Sequence, residues 1–393
     1  MSAGNVFPPP VRLLLGPGPS MVHPRVLQAM STPLVGHLDP AFLAIMEENK
    51  RLLRWLFGTA NELTIPVSGT GSAGMETCFV NLVEPGDEVV VCVNGLFGQR
   101  MSDVARRCGA EVHEVSAPWG RIVDAGDVRR ALQQCRRSKL LAVVHAETST
   151  GILQPLDELG SLAKEFGALF LVDTVTSLGG HPVRVDEWGI DACYSGTQKC
   201  LSAPPGLAPV TFSPRATEVA RKRRQPIQSW YLDVTLLSQY WGSDRVYHHT
   251  APITMNYALL EALRLIEAEG LEARWQRHER NHRALVAGLT ALGLSLASQE
   301  GYRLWTLNCV EVPPAVNDAQ LRGTLLNEFG IEIGGGLGPF KGRAWRIGLM
   351  GESSTAANVL AVLSALEQTL PRFGFPVEPG SGVAAAERVF AAR

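Results

Sequence analysis

The sequence predicts an α/β protein with a mostly parallel central sheet flanked by helices and a smaller C-terminal α+β domain. Three observations carry this. From about residue 60 to residue 212, short apolar runs alternate with helical stretches, the pattern of strands buried on both faces under crossover helices. After about residue 250 the texture changes to a long helical stretch and then a second set of strands. A chain of 393 residues is also long for one hydrophobic core and suits two domains.

Taken in order, residues 1–20 are rich in Pro and Gly and end in Gly16-Pro17-Gly18-Pro19-Ser20. That composition permits neither helix nor central strand, so it predicts an extended arm lying on a partner subunit or over its own domain. Asp39-Pro40 then opens an amphipathic helix. The predicted strands are Leu63–Val67, Glu88–Val93, Glu111–Val115, Leu140–Val144, Leu169–Val172, Ala192–Tyr194 and Ala208–Phe212. Helical segments between them include Gly74–Val83, Gln99–Cys108, Ala125–Gln134 and Leu156–Phe166. Beyond them lie one long helix over Pro252–Leu292, strands at Leu304–Val312, Ile331–Ile333 and Ala344–Gly348, and helices near Asp318–Phe329 and Thr355–Leu370. The tail after Phe375 reads as a short helix or a disordered end. The expected division is an arm over 1–20, a large domain over 21–270 and a small domain over 271–393.

Composition narrows the function. Thirty-six Lys and Arg stand against 38 Asp and Glu, a formal charge of −2, which argues against nucleic acid or an anionic membrane as the main partner. No apolar run approaches the ~18 residues of a membrane span. The seven cysteines form no CxxC and no disulfide framework, so a reduced, cytoplasmic enzyme is expected.

Gly69-Thr70-Gly71-Ser72-Ala73-Gly74 follows a predicted strand and opens a helix. Glycines let backbone approach an anion, and a helix start offers free N–H groups to a phosphate. A dinucleotide site also needs an acidic residue closing the next strand, but Glu88–Val93 runs into Asn94-Gly95, so the phosphate cradle is kept and the nicotinamide cofactor dropped. His278-Glu279-Arg280-Asn281-His282 spells HExxH, yet Arg277, Arg280 and Arg283 make that helix cationic, and it reads as a solvated face. Asp173 ends an apolar strand, at the edge where open α/β sheets bind ligands. Of six lysines, Lys199 alone follows a buried strand among small residues, a setting that holds an amine partly neutral and able to form an imine with an aldehyde. Phosphate loop, strand-end Asp and isolated Lys together describe one cofactor, pyridoxal phosphate.

Here the chain resembles the class V, fold type I aminotransferases, in their alanine–glyoxylate and serine–pyruvate branch. The resemblance runs over nearly the whole chain. Its motifs are Leu15-Gly16-Pro17-Gly18-Pro19, Glu84-Pro85-Gly86-Asp87, Asn94-Gly95-Leu96-Phe97-Gly98-Gln99-Arg100 and Thr150-Gly151-Ile152-Leu153-Gln154-Pro155. It continues in Val172-Asp173, Ser195-Gly196-Thr197-Gln198-Lys199, Tyr247-His248-His249-Thr250 and Arg346-Ile347-Gly348. The resemblance implies that Lys199 carries the cofactor aldehyde and Asp173 pairs with the pyridine nitrogen. Thr148 would reach the ring hydroxyl and Phe97 would stack on the ring. Thr70, Gly71, Ser72 and Gln198 would line the phosphate site, joined by Tyr247 and Thr250 from the other subunit of a homodimer. Arg346 would clamp the substrate carboxylate, with Gly36 bordering the substrate pocket. Three departures from mammalian members bear on the amino donor: Phe97 in place of tryptophan, Ser72 in place of histidine, and Gly36-His37-Leu38-Asp39-Pro40, which is closer to bacterial and insect relatives.

The resulting expectation is transfer of an amino group from L-alanine or L-serine to glyoxylate. A ureidoglycine–glyoxylate or serine–pyruvate aminotransferase shares every motif and stays open. A cysteine desulfurase needs a nucleophilic Cys on a mobile loop, whereas Cys309 falls in a predicted strand. A nicotinamide-dependent dehydrogenase or a non-catalytic nucleotide-binding module would leave Asp173 and Lys199 without a role.

Overall fold

The computed structural model describes residues 8–392. Its strands are β1 (Leu13–Leu14), β2 (Leu63–Ser68), β3 (Glu88–Val93), β4 (Glu111–Ser116), β5 (Ser138–Val144), β6 (Ala146–Glu147), β7 (Ile152–Leu153), β8 (Leu169–Asp173), β9 (Ala192–Tyr194), β10 (Leu207–Phe212), β11 (Leu307–Glu311), β12 (Ile331–Glu332), β13 (Gly334–Gly335) and β14 (Ala344–Gly348). The large sheet runs β2-β10-β9-β8-β5-β3-β4. Only β10 is antiparallel to its neighbours; the pairings among β9, β8, β5, β3 and β4 are all parallel. The mostly parallel sheet is therefore present, with one reversed strand.

Alternation along the strands builds two apolar layers. Val89, Val91 and Val93 of β3 join one core cluster, while Val90 and Cys92 join the other. Leu169 and Leu171 of β8 divide from Phe170 and Val172 in the same way. Burial on both faces explains why these strands read as unbroken apolar runs. The edge strand β4 departs from that pattern: Glu111 and Glu114 are exposed, charges that protect an open sheet edge from further pairing.

A third cluster is built from the antiparallel sheet β11-β14-β13 and the helices Leu271–Ala291, Asp318–Glu328, Ala356–Thr369 and Ser381–Ala391. The described part of the arm lies over its own chain: β1 pairs in parallel with β12, and Leu15 is wholly buried in this cluster. Residues 1–7 of the expected arm lie outside the described residues. The tail is ordered as the helix Ser381–Ala391, whose Ala386 is buried against the same core.

Two expectations need correction. The stretch over Pro252–Leu292 is two helices, Ile253–Glu269 and Leu271–Ala291, divided at Gly270. Gly270 has φ of 82°, a left-handed conformation that ends one helix and starts the next. Leu304–Val312 narrows to Leu307–Glu311. Among the described residues no helix is long and apolar enough to cross a membrane.

Candidate active site

In the large sheet the chain steps from β3 outward to β4, then returns past β3 to β5 and continues the other way. The strand order thus reverses between β3 and β5, and a crevice opens beyond the carboxyl ends of the strands at such a point. A cavity of about 190 Å³ occupies it, lined by Thr70, Gly71, Ser72, Phe97, Thr148, Asp173, Gln198 and Lys199, all singled out from sequence. Arg100, Thr176 and Tyr194 complete much of the wall.

Each side chain arrives there for a local reason. Thr70 caps the helix Gly71–Leu82, whose first free donors face the cavity; the N–H groups of Ala73 and Gly74 already bond to Thr70 O, at 2.7 and 3.3 Å. A helix start of this kind favours an anion. Asp173 closes β8 and is 3% exposed, with Oδ1 accepting from Val175 N at 2.7 Å. Burial pushes its carboxyl up to about 7. Lys199 follows β9 in a turn tied to the arm, because Ser20 Oγ donates to Lys199 O at 2.7 Å. Burial, and then the Arg346 guanidinium, pull the Lys199 ammonium down to about 8. Its Nζ donates to Pro17 O of the arm. Gly18 is needed beside it: a Cβ there would lie 2.8 Å from Lys199 Nζ, and its φ of 105° suits glycine alone.

One buried polar atom on the wall, Gln198 Oε1, has no hydrogen-bond partner among the described residues, while the Tyr194 hydroxyl faces the Asp173 carboxylate. Buried polar atoms in folded proteins are nearly always paired, so Gln198 Oε1 marks a place that a polar ligand completes.

Sequence reasoning missed Glu147. It is wholly buried, and burial raises its carboxyl, but it accepts from Ser149 Oγ (2.6 Å), Ser149 N (3.0 Å), Phe97 N (3.0 Å) and Gly98 N (3.3 Å). It thereby holds the start of the helix Leu96–Arg107, and with it Phe97, over the cavity. A Cβ on Gly95 would lie 2.4 Å from Glu147 Cδ, so this approach requires glycine. The only sequence signal was a lone acid shortly after the apolar run Leu140–Val144, in Ala-Glu-Thr-Ser.

The remaining expected residues lie outside the cavity wall. Arg346 sits on β14, 8% exposed, with Nε on Gly335 O at 2.7 Å and Nη1 reaching Thr148 O at 3.5 Å. Among the described residues its Nη2 has no partner, so one arm of the fork stays free beside the cavity. Tyr247 is 57% exposed, and Thr250 and Gly36 are exposed as well, away from the wall of the single chain.

HExxH turns out not to be a solvated face. His278 and His282 are buried, at 0% and 8% exposure. His278 Nδ1 donates to Arg274 O at 2.7 Å, and its Nε2 accepts from Gly351 N at 2.9 Å, which leaves no lone pair for a metal. Cys309 lies in β11, wholly buried, and not on a loop.

An anion-binding helix start, a lysine whose pKa is lowered to about 8 and a protonatable strand-end Asp at the switch point of an α/β sheet define an enzyme of amine and carbonyl chemistry. The chain belongs to the class-V aminotransferase family, whose description matches residues 12–339. It is 42% identical to the (S)-ureidoglycine–glyoxylate transaminase of Bacillus subtilis (strain 168), over 99% of this chain and 98% of that one. The crystal structure of ureidoglycine–glyoxylate aminotransferase from Bacillus subtilis superposes with a TM-score of 0.96 at 43% identity, covering 98% of this chain and 100% of that one. The alanine–glyoxylate aminotransferase structure from Nostoc sp. gives a TM-score of 0.91 at 53% identity, covering 93% and 97%. This chain is a fold type I aminotransferase.

Proposed function

We propose that this chain uses pyridoxal phosphate, as a homodimer, to transfer the amino group of L-alanine or L-serine to glyoxylate, giving glycine and the corresponding 2-oxo acid. The observation that carries the reading is the meeting of Lys199, Asp173 and the Gly71–Leu82 helix start in one cavity. An unpaired buried amide oxygen on its wall, Gln198 Oε1, fits a ligand with polar substituents. When bound, that group supplies an electron sink for the Cα–H bond of the amino acid.

The chain's own residues do the rest. Thr70, the N–H groups of Gly71 and Ser72, and Gln198 hold the phosphate, with Tyr247 and Thr250 supplied by the second copy. Their exposure on the single chain supports a role across an interface. Asp173 faces the pyridine nitrogen; meeting that cation brings its carboxyl back down and keeps the ring protonated. Phe97 covers one ring face and Thr148 reaches the ring hydroxyl. Arg346 turns its free arm on the α-carboxylate. Lys199 Nζ then takes the Cα proton, its affinity near 8 suiting proton transfer at neutral pH.

The high coverage and TM-score of the Bacillus subtilis enzyme favour a second donor, (S)-ureidoglycine. Steady-state rates with alanine, serine and ureidoglycine, each with glyoxylate, separate the two readings: the donor with the highest kcat/KM decides. Purified protein lacking the visible absorbance of bound cofactor after incubation with pyridoxal phosphate would sink both.

A further inference from the structure

Beside Tyr247 and Thr250 runs a chain of hydrogen bonds with no part in the reading above. Ser68, the last residue of β2, stands two positions before the cap Thr70. Its Oγ lies 2.7 Å from His249 Nε2; His249 Nδ1 lies 2.8 Å from His248 Nδ1; and His248 Nε2 lies 3.3 Å from Trp230 O. The Trp230 ring stacks on His248 at 4.3 Å and 7°. We propose that Ser68, His249 and His248 are positioning residues, a latch that fixes the Tyr247–Thr250 turn in the shape that reaches the phosphate of the second copy.

Donor accounting gives the latch its properties. Trp230 O only accepts, so His248 Nε2 carries a proton. In the neutral pair, His248 Nδ1 then accepts from His249 Nδ1–H, and His249 Nε2 accepts from the Ser68 hydroxyl. One added proton reverses the direction without breaking a link: His248 Nδ1–H donates to His249 Nδ1, and His249 Nε2–H donates to Ser68 Oγ. Only a second proton sets N–H against N–H. His37, Tyr231 and Tyr240 face the pair from the neighbouring segments, the two tyrosine rings lying 5.0 and 5.9 Å from His249. Burial, followed by His248 and His37, holds His249 down to about 4, so the doubly protonated state is confined to strong acid. Because Ser68 leads directly into Thr70, the latch joins the phosphate loop of one site to the turn that serves the other.

The inference rests on the reading that Tyr247 and Thr250 hold phosphate, and the test separates the two. The dissociation constant of pyridoxal phosphate is measured at pH 7.5 by equilibrium dialysis on dimeric protein. Ser68→Ala and His249→Phe each remove a link while keeping bulk, and are expected to raise it about three- to tenfold, the worth of a lost hydrogen bond. Ser68→Thr keeps the hydroxyl and is expected to bind as wild type does, which a loss of packing alone would not produce. If Thr250→Ala weakens binding while Ser68→Ala and His249→Phe leave it at the wild-type value, the latch is refuted and the phosphate reading stands. Wild-type binding in all of these variants would overturn the phosphate reading, and the latch with it.

Discussion

The cavity and the helix Leu271–Ala291 both bury polar side chains, and they treat them in opposite ways. On the helix Arg274, His278, Asn281 and His282 are answered, although the Trp275 indole N–H has no partner among the described residues. Arg274, 1% exposed, gives Nε to Gly179 O at 2.9 Å, Nη2 to Cys200 O at 2.7 Å and Nη1 to Glu269 at 2.6 Å. Asn281 reaches Ser354 Oγ at 3.0 Å, and His282 reaches Asn308 Oδ1 at 2.7 Å. In the cavity, Gln198 Oε1 is unanswered, and Asp173 and Lys199 are pushed toward their neutral forms. A satisfied cluster holds a fold together, whereas an unsatisfied one is built for something not in the chain. The HExxH helix, with the more recognisable spelling, is the structural one.

Variants can break that contrast. The largest effect is expected from Lys199→Ala, which should lower transamination by ~10³ or more, the scale of a lost proton-transfer group, and abolish the visible absorbance of bound cofactor. Its cofactor-free thermal midpoint should not fall, because desolvation penalises the lysine's charge in the folded chain. Turnover near the wild-type rate would refute the assignment of Lys199.

Next comes Asp173→Asn, with a rate loss on the order of 10² and a pH signature of its own. A carboxyl raised to about 7 binds its proton more tightly in the folded than in the unfolded chain. Stability of the cofactor-free protein therefore falls as pH rises from about 4 to about 7, by at most ~4 kcal/mol. Asparagine removes that dependence, so denaturant midpoints of variant and wild type should differ most, in the variant's favour, near pH 8. Parallel pH curves would mean Asp173 is an ordinary exposed-type acid.

His278→Ala should do the reverse: leave cofactor absorbance intact and cost about 2 kcal/mol, by stranding the buried Gly351 N–H and Arg274 carbonyl. A loss of cofactor without a loss of stability would erase the distinction between the two regions.

The same contrast explains what the sequence made legible. β3 and β9 fall at the bounds read from sequence, since burial on both faces leaves an apolar run with sharp ends. Lys199 and Asp173 were legible because polar residues interrupt such runs at strand ends. Glu147 was not, because its meaning lies in the Phe97 and Gly98 amides fifty residues back in the chain. Gly270 was read through because one glycine costs a helix only about 1 kcal/mol, and the pattern on either side stayed helical. The burial of His278 could not be seen from its arginine neighbours: Arg277 turns its guanidinium to Gly351 O and Glu269, leaving His278 under cover.

Arg346 sits between the two regions, and the smallest of the expected effects is argued from it. Half its guanidinium is committed as the helix residues are, with Nε on Gly335 O and Nη1 near Thr148 O. The remainder is free, as the cavity groups are. Burial lowers its pKa from the ordinary value, yet an arginine stays charged at any physiological pH. It can therefore keep its anchor and present one charged N–H edge to a carboxylate. Lysine at this position keeps the charge and loses the planar fork, so it cannot bond Gly335 O and a substrate together. Arg346→Lys should raise KM for amino donor and for glyoxylate by a common factor of about ten, roughly 1.4 kcal/mol of charge-assisted hydrogen bonding, with the cofactor spectrum nearly unchanged. A rise in one KM alone would show that donor and acceptor carboxylates are held by different groups. If neither moved, the clamp would belong elsewhere, with Arg343 the next residue to replace.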